Sequence, residues 1–579
     1  MNSRGVITAL IVVFLVIAAC VYTVDSIDTI LRFAPHALYA DQWRQYLDYV
    51  TIPFPQNLFH PDNGHRLVLP NFVAWLEIRW FAGDQSLQIV VGIACGLAAS
   101  AIAAALSASD RDVPVVYRAA ALFLSFFAIF WLANVRTLFH STELLHTKLP
   151  MLCLIAAIAL SIFAARRPRA SPALFAALLL ALSATFSFGY GLSVFLGIFA
   201  TLVACKADWR LIATCVAALA VAAGLYLILP GSDGVTGSMT FAPFENLLVG
   251  ARWLGAPFVT MFCFLWDPGT TGLVPTEPLR QATGSIAGYA AAHLPDLHTS
   301  VMPQALFGAF GMLVLVVASW QRMRARAAAG PMEATGLGIA WFGLGAAGIV
   351  SLSRLAYFHE HPEQIYADRY LCWPCLFWLG IALIGLGRRA RANSDSVARG
   401  PQARPLAGKA VFACALLIPF CAWPTQYGGS IYAALVRGHV DNMGVGSIVG
   451  VFERGADTGE TDPGEFSRGI PAFSSRHIAQ FADGVATMVG QRLPAGTPTI
   501  EGATVEVRPI ADNLLGAPGT AVTLRLPQGA QTPYRILLVD AENQIVGLVV
   551  RDARVQPSGY SGYARGALDS SGLRAAAAP

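Results

Sequence analysis

The sequence predicts an all-α polytopic membrane protein of about eleven transmembrane helices, ending in a β-sandwich-like extracytoplasmic domain. Three observations predict it. The 579 residues are 55% hydrophobic and 13% charged, with a mean hydropathy of +0.55; a soluble globule needs about 25% charged residues to coat itself. Apolar stretches of about 20 residues, the length that crosses a bilayer core, recur as far as residue 424. From Thr499 onward the pattern changes to short alternating runs separated by Pro, Gly and Asn, the signature of strands and turns.

The spans fall near 6–24, 87–107, 114–133, 149–165, 209–230, 302–320, 334–353, 371–387 and 409–424. The stretch 172–205 is too long for one helix. Gly189 and Gly191 weaken its middle, so it reads as two short helices joined by a tight turn. Ile17-Ala18-Ala19-Cys20 has the outline of a lipoprotein cleavage site, against which stands the reading of an ordinary cysteine at a helix end. Basic residues favour the cytoplasmic side. The clusters Arg166–Arg169, Lys206–Arg210, Arg322–Arg326 and Arg388–Arg391 share one side when Met1 is inside, provided that 244–266 is a re-entrant or interfacial helix. That orientation describes a multi-pass protein of a bacterial inner membrane with a cytoplasmic N-terminus. It puts loop 25–86, segment 231–300 and everything after 424 outside. The chain thus divides into a membrane domain (1–424), a connecting region (425–498), a β-rich domain (499–565) and a disordered Ala-rich tail (566–579).

Charge excludes some functions. Thirty-nine basic residues against 35 acidic give a net +4, too balanced for a nucleic-acid-binding chain. The short inner loops hold no glycine-rich phosphate loop, which disfavours ATP-driven chemistry. All ten cysteines lie between Cys20 and Cys421, so disulfides do not build the polar segments. Cys372-Trp373-Pro374-Cys375 has redox spacing, but in an apolar span it reads as helix packing.

Chemistry concentrates in three outer clusters. The first loop carries Asp41-Gln42-Trp43-Arg44 and His60-Pro61-Asp62-Asn63-Gly64-His65-Arg66. Asp41, shielded by Trp43, reads as a base with a raised pKa, or alternatively as the N-cap of a helix. His60, Asp62 and His65 offer metal-ligand atoms, although turn chemistry alone accounts for Asp62-Asn63-Gly64. The second cluster is His140, Glu143 and Lys148, either lining an anion cavity or snorkelling from an interfacial helix. The third runs from Arg354 to Tyr370. There Arg354 and Arg369 either grip a phosphate through their guanidinium forks or form salt bridges with Glu360, Glu363 or Asp368.

On these residues, 1–424 resembles the GT-C superfamily of bacterial membrane glycosyltransferases, which use polyprenyl-linked sugar donors. The resemblance rests on Asp41–Trp43, on Asn63–Arg66, on Thr185–Leu192 and on Arg369-Tyr370. Gln42 departs from the adjacent acidic pair of many such enzymes. Gly64 stands where an acidic residue is frequent, and Asp368 where Ser is frequent. The resemblance implies an inverting single displacement with Asp41 as the catalytic base. Arg354, Arg369, Tyr370 and Lys148 would hold the lipid phosphate, while His60, Asn63, His65, Arg66 and Trp43 would position substrate or brace the loop. The implied partners are a polyprenyl-phosphate sugar, a glycan, lipid or protein acceptor, and membrane lipid. No cofactor is required, although a divalent cation is compatible. Other readings are a polymerase or ligase of lipid-linked oligosaccharide (O-antigen), a flippase or transporter, and a non-catalytic glycan-binding assembly protein.

Overall fold

A computed structural model describes the chain except residues 1–2, 168–170, 230–238, 275, 294–300, 400–405, 454–461, 528, 530–531, 556–558 and 579. The ends of the expected 231–300 segment, part of the Arg166–Arg169 cluster and part of the connecting region therefore lie outside the described residues.

Among the described residues eight helices are long and apolar enough to cross a membrane: Ser3–Phe33, Ser86–Ala108, Val115–Phe139, Ser141–Arg166, Trp209–Ile228, Met302–Arg324, Pro331–Glu360 and Asp368–Arg388. A ninth is formed if Gly408–Cys421 and Trp423–Val449, bent by 41°, count as one span. The remainder of the expected eleven is the 172–205 stretch, which forms two helices of less than full span length, Pro172–Thr185 and Gly189–Ala204. The chain breaks between them because Phe188 is fully extended (φ −169°, ψ 149°). Cys20 does not end a helix. It is exposed within Ser3–Phe33, which continues well beyond it.

Pro243–Met261 is a helix whose second half is buried. It packs closely on Val301–Arg324, where a Cβ at Gly255 would lie 2.0 Å from the Gln304 carbonyl oxygen and one at Gly308 would lie 1.8 Å from that of Ala251. Glycine is what lets the two backbones touch, as in small-residue helix crossings.

The basic clusters gather at one end of the bundle. Lys206 donates to the Met323 carbonyl (2.9 Å), Arg166 to that of Ala329 (3.3 Å), and Arg322 and Arg388 both bind Glu333. The opposite ends of the same helices meet the first loop and the C-terminal region. Trp43, on helix Gln42–Thr51, is fully buried against Phe466 and Phe473 (ring centroids 4.5 and 5.6 Å).

The C-terminal domain is one six-stranded antiparallel sheet, order β1-β2-β5-β4-β3-β6, with β1 Thr504–Ile510, β2 Gly519–Arg525, β3 Arg535–Val539, β4 Ile545–Arg551, β5 Gly559–Arg565 and β6 Arg574–Ala577. The expected second sheet of a sandwich is replaced by helices. Leu537, Val539, Leu548, Val550 and Tyr563 on one face join a core with Trp43, Tyr46, Met443, Val449 and Phe466. The opposite face buries Val522, Leu524, Ile536, Leu538, Val549 and Tyr560 within the domain itself. The expectation of a disordered tail is also overturned. Arg574–Ala577 pairs with β3 from Val539↔Arg574 to Ile536↔Ala577, and Ala576 is fully buried. Small side chains that look like low complexity are what a crowded sheet edge accommodates.

Candidate functional site

Local turn chemistry builds the first part of the site. Asn63 (φ 46°) and Gly64 (φ 74°) both take left-handed conformations, and Asp62 and His65 exchange backbone hydrogen bonds of 2.9 and 2.7 Å. Asn-Gly is the pair that a two-residue turn of this kind favours. The turn aims Asn63 at Asp41, whose Oδ2 accepts from Asn63 Nδ2 at 3.3 Å while Oδ1 accepts from Arg44 at 3.1 Å. Asp41 starts the Gln42–Thr51 helix but its side chain makes no capping bond. Half of that side chain is exposed.

Trp43 does not shield Asp41. Its ring points into the core shared with the sheet, and its Nε1 donates to the Leu38 carbonyl at 3.1 Å. Gln42, standing where a second acid was expected, is buried and donates to Gln85, Ser141 and Thr142, each at 2.9 Å. An ionised carboxylate could donate none of these bonds; as an amide, Gln42 ties the loop to the Ser141–Arg166 helix.

The three residues that offer metal-ligand atoms diverge. His60 faces Asp48 (3.5 Å), Asp62 accepts from Arg44 (2.8 Å) and Gln45 (2.7 Å), and His65 stacks on Phe188 with ring centroids 4.4 Å apart. Among the described residues no three His, Cys, Asp or Glu converge on a metal position.

His65 reaches the bundle through that stack. A Cβ on Gly189 would come within 2.9 Å of its Nδ1, so glycine makes room for the imidazole. Burial, reinforced by the positive charge of Arg354 and opposed by Asp62, lowers the imidazole pKa to about 4. His65 is therefore neutral at pH 7. Arg66 turns the other way: its guanidinium donates to the carbonyls of Tyr226 (3.0 Å) and Leu229 and lies 5.6 Å from the Tyr226 ring. Those carbonyls lie at the C-terminus of Trp209–Ile228, where the helix lacks internal donors. Arg66 braces that helix end.

Arg354 sits in the last turns of Pro331–Glu360 and Arg369 in the first turn of the following helix. Neither forms the alternative salt bridge with Glu360, Glu363 or Asp368. Arg369 donates to Tyr357 Oη (3.0 Å) and Gln364 Oε1 (2.9 Å), lies 5.1 Å from the Tyr370 ring centroid, and keeps a buried Nε without a partner. Among the described residues Arg354 has only the Tyr357 ring, at 6.0 Å. Glu363 faces His361, Asp368 accepts from the backbone N–H groups of Arg136 (3.3 Å) and Arg369 (2.9 Å), and Glu143 holds Arg136 at 3.0 Å. Tyr190 joins the two halves: its ring is 4.9 Å from Phe188, and it feels the charges of Arg354 and Arg369.

Lys148 is not in a loop and does not snorkel. It lies inside Ser141–Arg166, fully buried, its Nζ without a hydrogen-bond partner and with Cys372 and Cys375 as its ionisable neighbours. Both cysteines are free and buried beside Trp373, which packs on Tyr190 at 5.4 Å, in keeping with packing rather than redox chemistry.

The structure thus brings Asp41, Asn63, His65, Arg354, Arg369 and Tyr370 to one end of the bundle, and sends Trp43, His60, Arg66 and Lys148 elsewhere. Sequence reasoning missed Tyr357 and Gln364, which aim Arg369, and Arg136, which occupies Glu143. Side chains from four separate helices meet there, and no local spacing encodes that. No protein-family model matches this chain, and no curated protein or solved structure does either.

Proposed function

We propose that the protein is a membrane glycosyltransferase that moves a sugar from a polyprenyl-phosphate-linked donor to a glycan, lipid or protein acceptor at the extracytoplasmic face. Two half-buried arginines that have no carboxylate partner among the described residues, at the same end of the bundle as an accessible carboxylate, carry this reading. Guanidinium groups left without a counter-charge are costly to bury, and a phosphate supplies the oxygens they lack. The concentration of basic residues at the other end of the bundle favours placing that end in the cytoplasm.

In the proposed displacement the acceptor hydroxyl oxygen attacks the anomeric carbon while its proton passes to Asp41. The bond from the anomeric carbon to the phosphate oxygen breaks, and the departing phosphate keeps the electron pair under Arg354 and Arg369. Phosphate is a stable leaving group, so the general acid of a glycosidase is not needed. Asn63 fixes the carboxylate, and neutral His65 adds no charge to compete with the arginines.

The test offers purified protein a panel of polyprenyl phosphate and polyprenyl diphosphate sugars and follows release of the lipid phosphate. Wild type should release it and Asp41→Asn, expressed to the same level, should not. Release by both removes Asp41 from the base role, and release by neither across the panel defeats the glycosyltransferase reading.

A further inference from the structure

We infer that Arg252 and Trp253 extend this anion site and that the site takes a diphosphate in preference to a monophosphate. The inference rests on the reading of Arg354 and Arg369 as a phosphate cradle. Arg252 interrupts the apolar Pro243–Met261 helix and is only 9% exposed. Its Nη2 donates to the neutral Tyr366 hydroxyl at 3.0 Å, its Nε is buried without a partner, and no carboxylate lies within ion-pair reach among the described residues. Tyr366 closes the turn that connects the Arg354 helix to the Arg369 helix.

Trp253 follows directly. It is fully buried, its indole N–H has no acceptor among the described residues, and its ring is 6.5 Å from Tyr190, a residue that feels the charges of Arg354 and Arg369. Native interiors leave few buried donors unsatisfied. Here Arg252 Nε, Trp253 Nε1 and Arg369 Nε are all donors, and each side chain lies by a tyrosine: Arg252 by Tyr366, Trp253 by Tyr190, and Arg369 by Tyr357 and Tyr370. The nearby acids are engaged: Glu245 with His359 (3.4 Å), Glu143 with Arg136, and Asp368 with two backbone N–H groups. Such donors are matched by a group rich in acceptor oxygens. Arg354 with Arg369 suffices for one phosphoryl group. A third guanidinium, held at Tyr366, and an indole N–H beside Tyr190 fit a second.

The test measures binding of inorganic phosphate and pyrophosphate to the full chain in detergent. Wild type should prefer pyrophosphate by about tenfold or more, a difference that one charge-assisted hydrogen bond supplies. Arg252→Gln should shrink that preference below about threefold, Trp253→Phe should reduce it partway, and Arg252→Lys, which keeps the charge but not the fork and guards against a folding defect, should retain more of it than Arg252→Gln. Phosphate binding without preference, or a preference untouched by Arg252→Gln and Trp253→Phe, overturns the inference while leaving the phosphate cradle standing. If wild type binds neither anion, the cradle falls as well. Competition by phosphatidylglycerol as strong as that by polyprenyl diphosphate would make this a bulk-lipid headgroup site, and overturn the inference too.

Discussion

Arg354 and Arg369 test how much of the site is legible in single residues. The fork of donors in each guanidinium, and the Arg369-Tyr370 pair, singled them out. Their freedom from carboxylates was not legible, because Glu360, Glu363 and Asp368 are adjacent in sequence and look like partners. Asp368 is instead taken by backbone N–H groups. Substituting either arginine by glutamine should lower kcat/KM for a lipid-linked donor about 10- to 150-fold, the equivalent of about 1.5–3 kcal/mol for a charged hydrogen bond, with thermal stability unchanged. His65 supplies a pH prediction. Its folded pKa of about 4 lies below the ordinary imidazole value of 6.5, so the unfolded chain takes up the proton first. Stability from this residue is complete above pH 6.5 and is lost as pH falls toward 4, by at most about 1.4 kcal/mol per unit. His65→Phe keeps a ring on Phe188 and cannot titrate. Thermal melts of the two proteins in detergent should diverge below pH 6.5, and parallel curves would show that His65 is not held neutral.

At the scale of elements, periodicity and length identified the helices and strands well, and failed where one element is completed by another. The Ser86–Ala108 helix is an example. Its own N-cap residue, Gln85, makes no capping bond. Glu77, fully buried on the preceding helix, accepts from the backbone N–H groups of Leu87 (2.8 Å) and Gln88 (3.2 Å), and burial raises its carboxyl pKa to about 7. No capping box in the sequence announces this, because the acceptor comes from another element. Glu77→Ala should cost about 0.5–2 kcal/mol and raise hydrogen exchange first at Leu87 and Gln88. Trp43 makes the same point for the loop helix: the acidic-x-Trp spacing suggested a group near the carboxylate, yet the ring lies at the centre of a core built from residues four hundred positions away. Trp43→Ala should destabilise the protein by about 3–5 kcal/mol, measured by thermal melting in detergent.

Across the whole molecule, the shared core determines what the C-terminal domain contributes. Sequence alone separated a membrane domain from a β-rich module, because the alternation of 499–565 shows strands but not the helices onto which one of their faces packs. In the structure Leu537, Val550 and Tyr563 of the sheet lie in one cluster with Trp43 and Tyr46 of the first loop, so the helix that begins at Asp41 is held partly by the sheet. Arg354 and Arg369 lie on the bundle helices and depend on no strand. Deleting residues 499–579 therefore removes the support of one half of the site and spares the other. The truncated protein should still bind inorganic phosphate or pyrophosphate within about threefold of wild type, yet lose transfer as Asp41→Asn does. Undiminished transfer would mean that the bundle alone positions Asp41 and that the sheet serves another purpose. Loss of both binding and transfer would mean that the two halves fold as one cooperative unit, so that no cradle persists without the sheet.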